Sequence, residues 1–208
     1  MNGRFIAFEG GEGTGKSTQV SLLAEALTAK GVTVVKTREP GGTPGAEAIR
    51  ELLLSPPGEG WPMRSEALLF AAARADHVAN LVRPAMARGE WVLCDRYVDS
   101  SRAYQGAAGG LGYDPIDALH NFGSEGLEAD LTIVLTVAET ARAERLAQRD
   151  GDASDAIGGR DAPFHRRVAE AFLELANGAD HVVIDGGRPV EEVHRDIRRV
   201  VEERFGLT

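Results

Sequence analysis

Short apolar runs rich in β-branched residues alternate along the chain with longer stretches of helical period, and this alternation sets the fold expectation. Arg4–Glu9, Val32–Thr37, Trp91–Asp95, Leu131–Val137 and His181–Asp185 predict five strands, nearly continuous in apolar character as strands buried on both faces are. Between them, a helical period over 16–29, 44–54, 65–88, 114–126, 138–149, 163–177 and 189–204 predicts helices. Strand and helix in alternation predict an α/β fold: a doubly wound, five-stranded parallel sheet with helices on both faces. Gly31 and Gly89 stand where helices should stop, and Pro84 should kink the third helix because it lacks a backbone donor. Two glycine-rich stretches carry no apolar period. Residues 106–112 (GAAGGLG) read as an ordered but flexible connection, and 150–161 (DGDASDAIGGRD) as a mobile lid, taken as about 149–162.

Composition narrows the class. The 208 residues suit one domain, 1–208, and 43% hydrophobic with 26% charged residues is ordinary globular make-up. No apolar run nears the roughly 18 residues a bilayer span needs, and the first strand begins too early to leave room for a signal peptide. Cys94, the single cysteine, sits in an apolar run and reads as a reduced core thiol, so a cytoplasmic protein is expected. The net charge of -9, from 32 acidic and 23 basic side chains, argues against a nucleic-acid polymer as partner. Small anionic ligands remain open, provided the arginines converge on one cleft.

The chemistry begins at Gly10-Gly11-Glu12-Gly13-Thr14-Gly15-Lys16-Ser17-Thr18, which satisfies G-x-x-x-x-G-K-[ST] between a predicted strand and a predicted helix. Such glycines let successive N–H groups turn inward onto phosphate oxygens, and the helix N-terminus adds partial positive charge. Lys16 should bridge the β- and γ-phosphates of ATP, and the Ser17 hydroxyl should ligate Mg2+. The fold is therefore of P-loop NTPase type. No Asn-Lys-x-Asp follows a later strand, which counts against a GTPase. Asp95, closing the third strand, is placed to hold the metal through water, and Arg96 beside it to point into the same cleft.

A second turn, Thr37-Arg38-Glu39-Pro40-Gly41-Gly42-Thr43, closes the second strand, with Arg50 on the helix behind it. Arg38, Arg50 and Arg96 would together bind an acceptor phosphate and relieve its repulsion with the γ-phosphate. Phe70 and Arg74 share a helix face. Phe70 could stack on a pyrimidine with Arg74 on its edge; alternatively Phe70 belongs to the core and Arg74 to solvent. Glu12, a carboxylate inside a phosphate loop, makes sense as a contact to a sugar hydroxyl or as help with the metal.

The P-loop, ThrArgGluProGlyGlyThr (37–43), LeuLeuPheAlaAlaAlaArg (68–74) and AspArgTyr…SerSer-x-AlaTyrGlnGly (95–106) resemble, in order, the signatures of bacterial thymidylate kinases. The resemblance implies an ATP-dependent phosphotransferase making dTDP from dTMP. It implies that Phe70 stacks on thymine, Arg74 contacts its O4 edge, and Arg38, Arg50 and Arg96, with the Pro40 turn, hold the acceptor phosphate. It further implies Glu12 near the 3′-hydroxyl, Tyr104 crowding the 2′ position, Ser101 and Gln105 completing the base and magnesium surroundings, and a homodimer built through the third helix and its neighbours. One departure stands out. Some family members carry a P-loop arginine at the position of Gly13, and others supply one from a lid D-R-x-E; here that stretch reads Asp155-Ala156-Ile157-Gly158. Arg149 and Arg160, flanking the flexible segment, are the expected substitutes, ahead of Arg167. The competing readings are a kinase for another pyrimidine nucleotide or a nucleoside, and an ATP-bound switch with no acceptor.

Overall fold

The structure, a computed structural model, describes residues 3–139, 141, 145 and 157–207. Within them five strands form one parallel sheet in the order β2-β3-β1-β4-β5: β1 Arg4–Glu9, β2 Val34–Arg38, β3 Trp91–Asp95, β4 Leu131–Thr136 and β5 His181–Asp185. Period-two alternation divides each central strand between two cores. Ile6, Phe8 and Leu93 pack with α1 (Lys16–Ala29) and the last helix (Val190–Phe205), through Val20, Leu23, Leu27, Val193, Ile197 and Val201. Phe5, Ala7, Val92 and Cys94 face the other way, onto Val78, Val82, Ala85 and Tyr97. Because both faces are covered, nearly every position of β1 is apolar, and the charged Glu9 at its end needs a separate explanation.

Three expectations shift. β2 starts at Val34 rather than Val32, because the Val32 amide folds back onto the Leu27 carbonyl (3.1 Å) and finishes α1. The long third helix is Met63–His77, a π-helical turn Val78–Val82, and Arg83–Ala87. The Arg83 amide reaches Val78 five residues back, so the disturbance expected from Pro84 takes the form of a widened turn just ahead of it. The glycine-rich stretch from 106 is partly helical. Val98–Ser101 runs into a π-helix, Arg102–Ala108, which buries Ala103 and Tyr104 against Val134, Val168 and Phe172 of neighbouring elements and Gln105 against Glu66. That tertiary packing outweighs the weak helical propensity of glycine. Further helices span Pro44–Leu54, Tyr113–Ser124 and Ala162–Leu175. The expected helix over 138–149 and most of the expected lid lie outside the described residues. Among the described residues, no helix is long and apolar enough to cross a membrane.

The strand order positions the site. The connection from β1 leads to β2 on one side, while that from β3 crosses β1 to reach β4 on the other. The carboxyl ends of β1 and β3 therefore flank a switch point, where an open parallel sheet leaves a crevice for ligand. Integrity of this frame rests on the two cores. Leu23→Ala, at a position 1% exposed, should lower unfolding free energy by about 2–5 kcal/mol in urea titrations, whereas Leu173→Ala, 51% exposed, should stay within about 0.5 kcal/mol.

Candidate active site

The loop after β1 is shaped by glycine where no other residue would fit. Gly10 has φ 129°, and a Cβ there would lie 2.2 Å from the Leu135 carbonyl oxygen. Gly15, at φ 93°, is the N-cap of α1 and offers no side chain to the first-turn amides, which stay available for an anion. Lys16 is buried, and its Nζ donates to the carbonyls of Gly10 (3.0 Å) and Gly11 (2.7 Å). Burial, with the Arg96 guanidinium adding to it, lowers the Lys16 ammonium pKa to about 7.

Across the switch point, Arg96 has a left-handed backbone (φ 71°), a conformation that costs an arginine energy and that surrounding contacts must hold. Its amide donates to the Phe8 carbonyl (2.9 Å), while Nη1 donates to the Gly10 carbonyl (3.0 Å) and to Ser100 Oγ (3.2 Å). The guanidinium also lies over the Tyr104 ring, 5.3 Å from its centroid. Burial works against its charge, but Tyr104, Asp95, Glu9 and Glu12 more than offset this and raise its pKa. Glu9, wholly buried at the end of β1, accepts from the amides of Tyr97 (2.8 Å) and Ser100 (3.0 Å) and from Ser100 Oγ (2.6 Å). Burial, reinforced by Asp99, pushes the Glu9 carboxyl up to about 7.

Ser17 Oγ donates to Asp95 Oδ2, joining the two proposed metal residues across β1 and β3. Among the described residues no three of His, Cys, Asp and Glu gather as a closed metal cage. One hydroxyl and one carboxylate beside a phosphate loop instead suit magnesium, which keeps several waters and takes further oxygens from nucleotide phosphates.

A cavity of about 590 Å³ runs from this loop towards the third helix. Glu12, Gly13, Thr14, Gly15, Lys16, Ser17 and Thr18 form one end, with Asp95 and Arg96 beside them. Arg38, Pro40, Arg50 and Phe70 line the other end, opposite Ser101, Tyr104 and Gln105. Arg50 Nη1 donates to the Pro40 carbonyl (2.8 Å), and the exposed Arg38 donates to both Glu47 oxygens (3.3 Å each). Arg74 is neither in solvent nor on the cavity wall. It is buried, with Nε on Glu39 (2.8 Å) and Nη2 on Ser101 Oγ (2.9 Å), so it backs the pocket through Ser101. Burial would raise the Glu39 carboxyl, yet Arg74 and His77 together hold it below the ordinary range.

Of the two arginines expected from the lid, Arg149 lies outside the described residues. Arg160 points away from the phosphate loop: its Nη2 donates to Glu66 (2.5 Å), and the guanidinium lies 4.5 Å from the Phe164 ring centroid. An arginine that sequence reasoning missed sits closer. Arg145 lines the cavity and donates to the carbonyls of Gly13 (3.4 Å) and Gly186 (3.0 Å). Gly158, where the family motif has glutamate, lies beside Glu12: a Cβ there would fall 2.8 Å from Glu12 Oε2, the movable end of that side chain. Glu9, Glu39 and Glu66 were also missed. The only signal for Glu9 and Glu66 is an acid set beside an apolar run, which does not name a partner, and Glu39 stands in a polar turn with no signal of burial.

Comparison with known proteins agrees with this geometry. A family model described as thymidylate kinase matches residues 8–197. Curated thymidylate kinases similar to the chain include that of Rhizorhabdus wittichii, 55% identical over 85% of this chain and 85% of the relative, and that of Symbiobacterium thermophilum, 47% identical over 96% and 92%. The crystal structure of thymidylate kinase from Ehrlichia chaffeensis matches with TM-score 0.79 and 32% identity, covering 97% of this chain and all of that one.

The lowered Lys16 pKa has a thermodynamic consequence. Polyphosphate oxygens beside the amine favour its charged form, so its pKa rises on binding, and between about 7 and the ordinary lysine value of 10.5 the complex holds more protons than the empty site. Calorimetric titration with Mg-ATP at pH 8, in buffers of different ionisation enthalpy, should report net proton uptake. Zero uptake, or release, contradicts the assignment.

Proposed function

Since the chain belongs to the thymidylate kinase family, and so transfers the γ-phosphoryl group of ATP to dTMP to give dTDP and ADP in deoxynucleotide biosynthesis, we propose that Lys16 and Arg96 mark the line along which the phosphoryl group moves. One observation carries this reading: Lys16 Nζ and Arg96 Nη1 both reach the Gly10 carbonyl oxygen, each at 3.0 Å, from the segments that follow β1 and β3 at the switch point. Sharing one oxygen with the Arg96 guanidinium disfavours the charged form of Lys16, and an arriving pair of phosphates restores it.

An oxygen of the dTMP phosphate is already a competent nucleophile. It attacks the γ-phosphorus, the bond from that phosphorus to the β-bridging oxygen breaks, and ADP leaves with the electron pair. No general base is needed, so the work of the protein is alignment and charge neutralisation. In this reading the 10–18 loop cradles the ATP phosphates through its amides, Lys16 bridges the β- and γ-groups, and Arg96, Arg38 and Arg50 hold the acceptor phosphate. Phe70 stacks on the thymine, with Arg74 supporting Ser101, and Gln105 meets the base edge. Tyr104 crowds the sugar 2′ position and Glu12 approaches the 3′-hydroxyl. Ser17 and Asp95 would hold magnesium, which would supply charge neutralisation on the phosphates. Arg145, near the Gly13 carbonyl, joins Arg149 as a source of the cation that family members place at the P-loop or lid, a role that the Glu66 contact takes Arg160 away from.

The molecule works as a single kinase domain, and we propose that it pairs as a homodimer. Phe122 is 90% exposed and Leu68 56% exposed on two helices packed against each other, and a partner surface would cover them. The buried, unpaired Cys94 accords with a reducing cytoplasm.

Lys16→Ala should reduce kcat by about 10³-fold while dTMP binding stays measurable, as read by coupled ADP release and by calorimetry. Turnover within threefold of the parent would overturn the P-loop role. Phe122→Asp should shift sedimentation towards the monomer; an unchanged sedimentation coefficient refutes this dimer face.

A further inference from the structure

Gln105 is almost wholly buried, at 1% exposure, yet it lines the cavity at the end where the proposed reading seats the base. Its amide has two chemically opposite ends, a donor NH2 and an acceptor carbonyl, and which end meets the ligand decides which base edge is accepted. The side chain itself does not favour either orientation. Its neighbour does: Gln105 Nε2 donates to Glu66 Oε1 at 2.7 Å.

Glu66, on the helix Met63–His77, is buried at 5% exposure, and its second oxygen accepts from Arg160 Nη2 at 2.5 Å. A carboxylate paired with a guanidinium only accepts hydrogen bonds. It therefore cannot face the carbonyl of Gln105, because two acceptors at this distance, out of water, would leave both unsatisfied. The amide is locked with NH2 towards Glu66, and Gln105 Oε1, which takes no hydrogen bond from the described residues, is left for the cavity.

We infer that Glu66 is a specificity-determining positioning residue, which fixes the Gln105 amide so that an acceptor oxygen faces the base and selects pyrimidines bearing an N3–H. Thymine and uracil carry that proton; neutral cytosine presents an unprotonated N3 to the same spot, opposing one acceptor with another. Arg160 keeps the carboxylate aimed, which gives this arginine a role at the base end of the site. The inference rests on the seating of the base at Gln105 described above.

The experiment compares kcat/KM for dTMP and dCMP. Glu66→Gln introduces an amide that can donate, so Gln105 can turn over and offer NH2 to the base; the dTMP-to-dCMP preference should fall by at least about tenfold, the cost of one mismatched buried polar pair. Combining Glu66→Gln with Gln105→Glu restores an acceptor facing the cavity and should recover the preference to within about threefold of the parent. Thermal midpoint and ATP KM, which a merely structural role would move, should change little. The inference is overturned if Glu66→Gln keeps the parental ratio, or if the paired exchange fails to recover it. Should the single variant not fold, the paired exchange alone decides. Gln105→Met separates the two levels. A parental ratio in that variant removes Gln105 from the base site altogether, whereas a collapsed ratio with an unaltered Glu66→Gln leaves the base site standing and removes only the role of Glu66.

Discussion

The shared carbonyl of Gly10 is the point on which the arrangement turns. A lysine from the helix after β1 and an arginine from the end of β3 meet there, although like charges repel and both side chains are buried or nearly so. They stay because the backbone leaves them little choice. Gly10 is pressed against the Leu135 carbonyl, and Arg96 is held in a left-handed turn by its bond to Phe8 and by the Ser100 hydroxyl that Glu9 also grips. Electrostatic tension is thus built in by rigid elements before any substrate arrives, the condition under which fixed charges contribute most to a transition state.

Buried acids then hold the surrounding cations in place. Glu9 organises the turn 97–100 behind Arg96, Glu39 holds Arg74 behind Ser101, and Glu66 holds Arg160 beside Gln105. Each such carboxylate would be costly alone, and each is paired or multiply hydrogen-bonded. An acidic chain of net charge -9 can therefore bind two polyanions, because its cleft-facing arginines are exposed on one side and anchored on the other.

What could be read beforehand follows from how local each signal is. Strands β1 and β3 are as expected because runs buried on both faces carry their signal within five or six residues, and the short apolar run of β5 is equally local although that edge strand is only partly buried. The phosphate loop is legible for the same reason: its glycines and lysine act within nine positions. The helix Arg102–Ala108 was hidden, since its stability comes from Val168 and Phe172, far along the chain, and its glycine argued against it. Glu9 and Glu66 were hidden by distance too. Glu9 meets Tyr97 across 88 residues, and Glu66 meets Arg160 across 94, separations at which no periodicity speaks. For Arg74 both sequence options missed a third, a buried cation one layer behind the pocket wall, because its partner Glu39 sits in a turn that reads as exposed.

The most direct test of the central claim is a single-turnover measurement of phosphoryl transfer in Arg96→Lys, with ATP and dTMP both saturating. Lysine keeps the charge and meets the same backbone cost at φ 71°, but it lacks the planar guanidinium that donates through Nη1 to Gly10 and Ser100 while lying over the Tyr104 ring. If the paired cations at Gly10 align donor and acceptor, the transfer rate should drop by about 10²-fold or more while ATP affinity stays within about threefold. A transfer rate indistinguishable from the parent would contradict it.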